Sequence, residues 1–410
     1  MNQRQLFHAI EHVASKDYRS DEELLESVVR EIANSDQIRI KGGRIWKLIP
    51  RKNAYILVRQ LGKMKPLEEN YAIKVSEYPD FVRIGNEKTL LTLEKNADLR
   101  KGGIMKYSAT GVGDKVKVKG IPLYQYILSF NTEEEDQDLF DTLNVIGSAV
   151  TAVLRGRHAL ARTRQLEQDM DQAREIQRSI LPEHEHKYGA FQLFGVSLPE
   201  RVVGGDFFDY ITAGEEGEWL GVAVGDAASK GLSAAVEALY VSGALKMGVE
   251  LQTNMSSLVR KINNLVNSTF SDSRFVTLFY GEFTDEKSGL FLYVNAGHNP
   301  PMFFRKSTAE VTQLITTGPA LGIAPNAKYS IGNVNFEKDD VLLLYTDGVS
   351  EASDSNFSLY GEEKLKKKLS EVASLEPKRI CYEILDSVQR FSASSAYGDD
   401  KTIVVIKRMA

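Results

Sequence analysis

Four stretches of the sequence place aspartates beside glycines at the ends of apolar runs. They read VVGGDFFDY from residue 202, VAVGDAASKG from 222, LLLYTDGVSEA from 342 and AYGDDKTIVV from 396. An apolar strand fixes the backbone, and the adjoining glycine lets a carboxylate or a main-chain carbonyl project into a shared cleft. Carboxylates that converge repel one another, so such a cluster needs cations. Oxygen ligands without His or Cys favour Mg²⁺ or Mn²⁺ over zinc.

A single Asp-Gly or Gly-Asp pair carries no such meaning, because these dipeptides are common in turns. Only the recurrence of the pattern at four strand ends points to a site. From the residues alone, a metal centre and a set of unrelated turns both stay open.

The elements that must position these acids follow Pro182. Short apolar strands are separated by glycine turns, and two helices are predicted at about Ser233 to Met247 and Ser256 to Ser268. A majority of strands with an inserted helical pair favours an antiparallel sheet sandwich covered by helices over a doubly wound sheet. The predicted strands are FQLFGVSL, WLGVAVGD, VTLFYGEFTD, GLFLYVNAG, VLLLYTDG and KTIVVIK.

The same stretches resemble a known family. VGGDFFD, GDAASKGLSAA, NAGHNPP, GPALGI, LYTDGVSEA and GDDKT are similar to the bacterial branch of the metal-dependent (PPM-type) Ser/Thr protein phosphatases, which includes the stage II sporulation phosphatases and regulators of stress sigma factors. The likeness runs from about Asp171 to the C-terminus and includes AREIQRSILP. It implies an α-β-β-α sandwich, in an α+β chain, and hydrolysis of a phosphoprotein by a metal-activated water.

The resemblance also implies a ligand set for two ions of Mn²⁺ or Mg²⁺. Asp226 would bridge both ions, and the main-chain carbonyl of Ala227 would join one of them. Asp206 would hold one ion directly or through water. Asp347 and Asp399 would hold the other. Asp226 and Asp206 are thus the residues expected to carry catalysis.

Several neighbouring residues have plainer interpretations. Asp209 and Asp400 are expected in turns or behind the ligands. GDAASKG departs from the common GDVSGKG form of the family, which leaves the geometry of this loop open. Lys230 is expected to face solvent rather than phosphate, and His298 of NAGHNPP to make a structural hydrogen bond rather than act as a general acid.

The first 135 residues are predicted to form a separate domain that weakly resembles a GAF sensor domain. It should open with an amphipathic helix, followed by the strands GRIWKLIP, AYILVRQLG, YAIKVSEY, KTLLTLE and IPLYQYILSF. It has no cysteine, which excludes a covalently held bilin, and whether it binds a small ligand is left open.

A helical linker is predicted over residues 136–182, ahead of a phosphatase domain over 183–410. Apolar residues recur every three or four positions along it, and no proline interrupts it before Pro182. Two interpretations are weighed: a stalk that pairs two copies, which is favoured, and a helix folded onto its own domain. The stripe expected at the seam is Leu139, Leu143, Ile146, Val150 and Val153, resuming at Leu166, Met170 and Ala173.

Composition limits the possible partners, the location and the type of phosphatase. A formal charge of -5 over 410 residues argues against a nucleic-acid partner, and the N-terminus has no apolar run of signal-peptide length, so a cytoplasmic protein without membrane insertion is expected. Cys381 stands alone and is interpreted as a core residue, which argues against a cysteine phosphatase.

The expected partner is a phosphorylated anti-sigma-factor antagonist, by the resemblance. Two rivals are kept: a scaffold with the phosphatase fold but no activity, and a diguanylate cyclase, because GGDFF resembles GGDEF.

Overall fold

The computed structural model describes residues 16, 18–34, 40–68, 70–101, 106–132, 137–213, 219–251, 253–270, 274–283, 289–393 and 398–409. Contacts divide the chain into two units, residues 1–166 and 167–410. The amphipathic helix predicted to open the first unit is present at Asp21–Ala33, ahead of the first strand.

The first unit is built on one antiparallel sheet of six strands in the order β3-β2-β1-β6-β5-β4. The strands are β1 (Ile40–Ile49), β2 (Ala54–Gly62), β3 (Ala72–Lys74), β4 (Thr89–Leu93), β5 (Lys106–Val118) and β6 (Ile121–Thr132), with helices α1 (Asp21–Ala33), α2 (Pro79–Glu87) and α3 (Ala97–Lys101). Strand β5 was not predicted, because its sequence KYSATGVGDKVKV is rich in small and charged residues. The unit is a mixed α/β domain, as expected, and a GAF-like identity stays a prediction.

Helix α4 (Gln137–Ile180) is the long helix that the sequence predicts. Its first turns cover one face of the N-terminal sheet together with α1. Leu143, Ile146, Val150 and Leu154 are all buried there, against residues such as Val28. This corrects the interpretation of that stripe as the seam between two copies, because the unit's own core already buries it. The side chain of Leu139 lies outside the described residues.

The boundary between the two units falls at Leu166, inside α4. The predicted linker over residues 136–182 is therefore divided between the units in this structure. From His158 to Ile180 most side chains of the helix are exposed; Gln177 is the buried exception.

The second unit is a sandwich of two antiparallel sheets, in the strand orders β15-β12-β11-β10-β9 and β14-β13-β16-β17-β8-β7. Helices α5 (Leu232–Glu250) and α6 (Met255–Thr269) cover the first sheet, and α8 (Gly361–Val372) and α9 (Pro377–Ser392) cover the second. The predicted α-β-β-α sandwich is confirmed. The strands are β7 (Glu185–Tyr188), β8 (Phe191–Leu198), β9 (Phe207–Ala213), β10 (Trp219–Ala227), β11 (Val276–Phe283), β12 (Leu290–Ala296), β13 (Met302–Arg305), β14 (Glu310–Gln313), β15 (Gly332–Asn335), β16 (Val341–Tyr345) and β17 (Lys401–Arg408), with the short helix α7 (Asp347–Ser350).

Strand β16 is apolar at every position because both of its faces are covered. In β16, Val341, Leu343 and Tyr345 pack under the helices of the second sheet. Leu342 and Leu344 point the other way, into the core between the sheets. Side chains alternate along a strand, so a layer buried on both sides requires a continuous apolar run. Such strands fix the backbone at the points where the acidic residues lie.

Among the described helices, α5 alone is long and apolar enough to pass as a membrane span by length and composition. Eight of its residues are buried against the sheet and α6. That packing accounts for its apolar character.

Candidate metal centre

The predicted acids lie at the ends of strands in both sheets. Asp206 immediately precedes β9, and Asp226 with Ala227 ends β10, in the first sheet. Asp347 begins α7 just after β16, and Asp399 lies two residues before β17, in the second sheet. The convergence expected from the sequence therefore takes place at one end of the sandwich.

Three of these acids share one polar pocket of about 440 Å³. Asp226, Asp347 and Asp399 line it together with Ala227 and Lys230. Asp206 is not on that lining. It is buried beside the pocket and lines a neighbouring cavity, with its carboxylate accepting a hydrogen bond of 2.6 Å from Thr346 Oγ1.

The charges of the acids act on one another. Burial raises the pKa of Asp226 to about 7, and the charges of Asp347 and Asp399 add to this. Burial and the nearby Asp226 hold the pKa of Asp206 well above its usual range, against the opposing effect of the Thr346 hydrogen bond. Burial, then Asp399, raises the pKa of Asp347. A group of carboxyls that resist ionisation is what an uncompensated anionic site produces.

No three of the described His, Cys, Asp or Glu side chains lie close enough to form a ready-made metal cluster. Two of the acids are engaged with protein groups. Lys230 Nζ lies 3.2 Å from Asp399 Oδ2, and Thr346 holds Asp206. The donors nevertheless fit Mg²⁺ or Mn²⁺ by type, since they are carboxylate and carbonyl oxygens without nitrogen or sulfur.

Lys230 differs in part from its prediction. Its side chain is largely exposed, as expected, but its ammonium contacts Asp399 rather than solvent alone. That hydrogen bond raises the pKa of Lys230, so the group is a cation at the rim of the pocket.

The loop that follows Asp226 is anchored despite its departure from the family form. Ala228 N donates to Phe275 O at 3.0 Å, and Ser229 Oγ donates to Glu237 Oε1 at 2.8 Å. Arg274 Nη1 lies 3.1 Å from the same Glu237 oxygen. The serine that replaces the family's glycine thus gains a buried carboxylate partner on α5, which the sequence did not suggest.

Asp209 lies behind the pocket, whereas Asp400 lies on its lining, in the turn before β17. Asp209 is buried and contacts Lys246 Nζ at 2.8 Å and Ser242 Oγ at 3.2 Å on α5. Asp400 accepts hydrogen bonds from the backbone N–H of Gly205 at 2.6 Å and of Glu200 at 2.8 Å. Both acids therefore have structural partners.

His298 has a structural hydrogen bond, as predicted. It is buried, and its Nδ1 lies 2.9 Å from Thr277 Oγ1, which donates to the backbone carbonyl of Asp226 at 3.3 Å. Burial lowers the pKa of His298 to about 4, so the ring is neutral near pH 7. Cys381 is buried in α9, and its thiol donates to Phe194 O at 3.4 Å, in agreement with the prediction of a core residue.

The sequence reasoning missed the polar residues that hold the ligands' backbone. Thr346 accepts from Thr402 N at 2.9 Å while donating to Asp206, so one hydroxyl joins β16, β17 and the Asp206 turn. Thr277 and Gln177 were also missed. Thr346 precedes Asp347 in the YTDG stretch, so its position could have drawn attention; Thr277 lies in an ordinary strand pattern and gave no signal.

Comparison with known proteins agrees with this geometry. Residues 216–409 match the family described as Stage II sporulation protein E (SpoIIE). Most of the C-terminal unit therefore resembles a SpoIIE-family, PP2C-type phosphatase domain.

Three curated relatives show how far the likeness extends. Phosphoserine phosphatase RsbU of Bacillus subtilis is 24% identical over 244 residues, covering 60% of this chain and 71% of its own. Protein IcfG of Synechocystis is 28% identical over 271 residues, covering 58% and 41%. Phosphoserine phosphatase RsbP of Bacillus subtilis is 26% identical over 207 residues, covering 49% and 48%. The chain thus spans less than half the length of two of these relatives.

Among solved structures, the SiaA-PP2C domain of Pseudomonas aeruginosa aligns with 60% of this chain and 98% of its own. The TM-score is 0.51 at 20% sequence identity, which supports the PP2C fold of the second unit.

Proposed function

We propose that this protein is a divalent-cation-dependent phosphatase that hydrolyses phosphoserine or phosphothreonine on a small regulatory protein of the anti-sigma-factor antagonist type. The observation that carries the proposal is the placement of Asp226, Asp347 and Asp399 on one pocket, with Asp206 buried alongside. The phosphoserine phosphatases RsbU and RsbP among the relatives support the substrate class.

Five groups would hold two ions, Mn²⁺ or Mg²⁺: the carboxylates of Asp206, Asp226, Asp347 and Asp399 and the carbonyl of Ala227. The ions, when bound, would neutralise charge on the phosphoryl oxygens and lower the pKa of a water molecule.

The protein's own part is to fix these oxygens. Thr277 holds the Asp226 main chain, Thr346 orients Asp206, and Asp400 holds the turn before it. Lys230, at the rim beside Asp399, supplies a cation on the side that is open to a phosphorylated chain.

The test of the substrate class is a comparison of rates. We expect the Mn²⁺-supplemented protein to release phosphate from a phosphorylated antagonist faster than from nucleotides or small phosphate esters at equal concentration. Faster hydrolysis of the small esters would overturn the substrate assignment. A protein that binds the phosphorylated antagonist but releases no phosphate under any metal would be the inactive scaffold.

We also propose that the N-terminal unit controls the phosphatase and takes a small anionic ligand. Arg44 on β1 is buried, its Nη2 has no hydrogen-bond partner among the described residues, and it shares a cavity with Glu94 and Trp46. The cavity measures about 20 Å³, room for about one water molecule, so a ligand larger than water enters only if the lining side chains move apart. Formate should raise the unfolding temperature of the wild type but not of Arg44→Gln; equal effects would exclude this site.

A homodimer in the cytoplasm completes the proposal. Because Leu143, Ile146, Val150 and Leu154 are buried in their own unit, a pairing surface would use exposed apolar residues of α4 such as Leu166, which is 57% exposed. Light scattering at micromolar concentration should give a dimer for the wild type and a monomer for Leu166→Asp. A wild-type monomer would end the dimer proposal.

A further inference from the structure

The end of α4 is attached to the turn that carries Asp206. Gln177 is the one buried side chain in the last turns of that helix among mostly exposed neighbours. Its Nε2 donates to Gly204 O at 2.7 Å, and its Oε1 accepts from Gly204 N at 3.2 Å. The side-chain amide thus binds both polar groups of one residue, as a neighbouring strand would.

That residue lies two positions before Asp206. The next amide, Gly205 N, donates to Asp400 Oδ2 at 2.6 Å from the other side. Gly205 O in turn accepts from Ala227 N at 3.4 Å, beside the predicted bridging acid. The turn is therefore held between α4, the residue before β17 and the end of β10, and the position of the Asp206 backbone follows from these three attachments.

The turn is in close contact with its neighbours. A Cβ on Gly204 would lie 2.4 Å from Asp400 Oδ2, and one on Gly205 would lie 3.1 Å from Ala227 O. Glycine at both positions allows this close approach, so a displacement of Gly204 by the helix has to be transmitted to its neighbours.

We propose that Gln177 is a positioning residue for the metal centre. By holding Gly204, it fixes the position of Asp206. The affinity of the protein for one of the two ions therefore depends on the last turns of α4. This inference rests on the proposed function. Its physical basis is general, since residues that orient metal ligands through hydrogen bonds change metal affinity by about 10- to 100-fold when they are removed.

The experiment measures Mn²⁺ binding to the full chain by calorimetry. Gln177→Ala and Gln177→Met, which keeps the length of the side chain without its amide, should each keep one Mn²⁺ at wild-type affinity and weaken the other about 10- to 100-fold. Gln177→Glu should behave like them, because a carboxylate cannot donate to Gly204 O. Arg178→Ala, at the exposed neighbouring position, is the matched control and should bind as the wild type does.

The outcomes separate this inference from the proposed function. Wild-type affinity for both ions in Gln177→Met would overturn the positioning role and leave the phosphatase intact. Failure of the wild type itself to bind Mn²⁺ would overturn the proposed function. Hydrogen exchange adds a readout that does not use metal: the Gly204 and Gly205 amides should exchange faster in Gln177→Met, and unchanged exchange would also count against the role.

Discussion

Replacing Asp226 with Asn should stabilise the metal-free protein at alkaline pH. Burial and three neighbouring acids, Asp347, Asp399 and Asp400, raise the pKa of this carboxyl to about 7, against an ordinary value of 3.8. An acid whose pKa is raised by folding is easier to keep protonated in the folded protein than in the unfolded chain. Its contribution to the free energy of unfolding is fully present below pH 4 and is lost as the pH rises through 7. At pH 8 the ionised carboxylate therefore costs about 4 kcal/mol of unfolding free energy. Asn resembles the protonated acid and avoids that cost.

The assay is denaturant unfolding in excess chelator. Trp219 is the only tryptophan of residues 167–410, so its fluorescence in a Trp46→Phe background reports on the phosphatase unit alone. We expect Asp226→Asn to exceed its parent by up to about 4 kcal/mol at pH 8 and to match it near pH 4. Mn²⁺ at 100 times its dissociation constant should then add about 2.7 kcal/mol to the parent but little to the variant.

Asp386→Asn is the matched control, because Asp386 is an exposed acid of α9 that pairs with Arg390 outside the pocket. That variant should differ from the parent by less than about 1 kcal/mol at pH 8. If Asp226→Asn were no more stable than its parent at pH 8 in chelator, the description of Asp226 as an uncompensated, partly buried acid would be wrong.

Two further substitutions test the turn beside the pocket and the core of the N-terminal unit. In Gly348→Ala the new Cβ would lie 2.0 Å from Asp400 O, so residues 399–400 must move. We expect phosphatase activity to fall about 100-fold. The control Gly243→Ala, whose new Cβ meets no atom within 4 Å, should keep its activity. Comparable activity in the two variants would contradict this. Val150→Asp should destabilise the N-terminal unit by at least about 3 kcal/mol, because it buries a charge without a partner. Thermal unfolding followed by Trp46 fluorescence should show this loss. An unchanged transition would mean that Val150 is not in the core.

The sequence indicated the acids and the sandwich well because both depend on local patterns. A strand covered on both faces must be apolar throughout, and its end is marked by glycine, so the amino-acid pattern alone places Asp226 and Asp347 at strand ends. The oxygen-only ligand set followed from residue type.

The hydrogen bonds that hold the predicted ligands in place join residues far apart in the sequence. No single sequence motif could predict them. The bond from Thr277 to the Asp226 carbonyl joins two strands, and the contact of Gln177 with Gly204 joins residues 27 positions apart. The α4 stripe was assigned to a second copy because periodicity shows that one face is apolar but not what covers it. Here α1 and the sheet cover it.

The most direct test of the central claim is phosphate release from a phosphoserine protein as a function of Mn²⁺. The wild type should show activity that rises with Mn²⁺, disappears in chelator and returns when the metal is restored. Asp226→Asn should lose nearly all of it while its Trp219 fluorescence stays that of the folded unit. Turnover by the wild type in excess chelator, or wild-type rates from Asp226→Asn, would contradict a metal centre built on these acids.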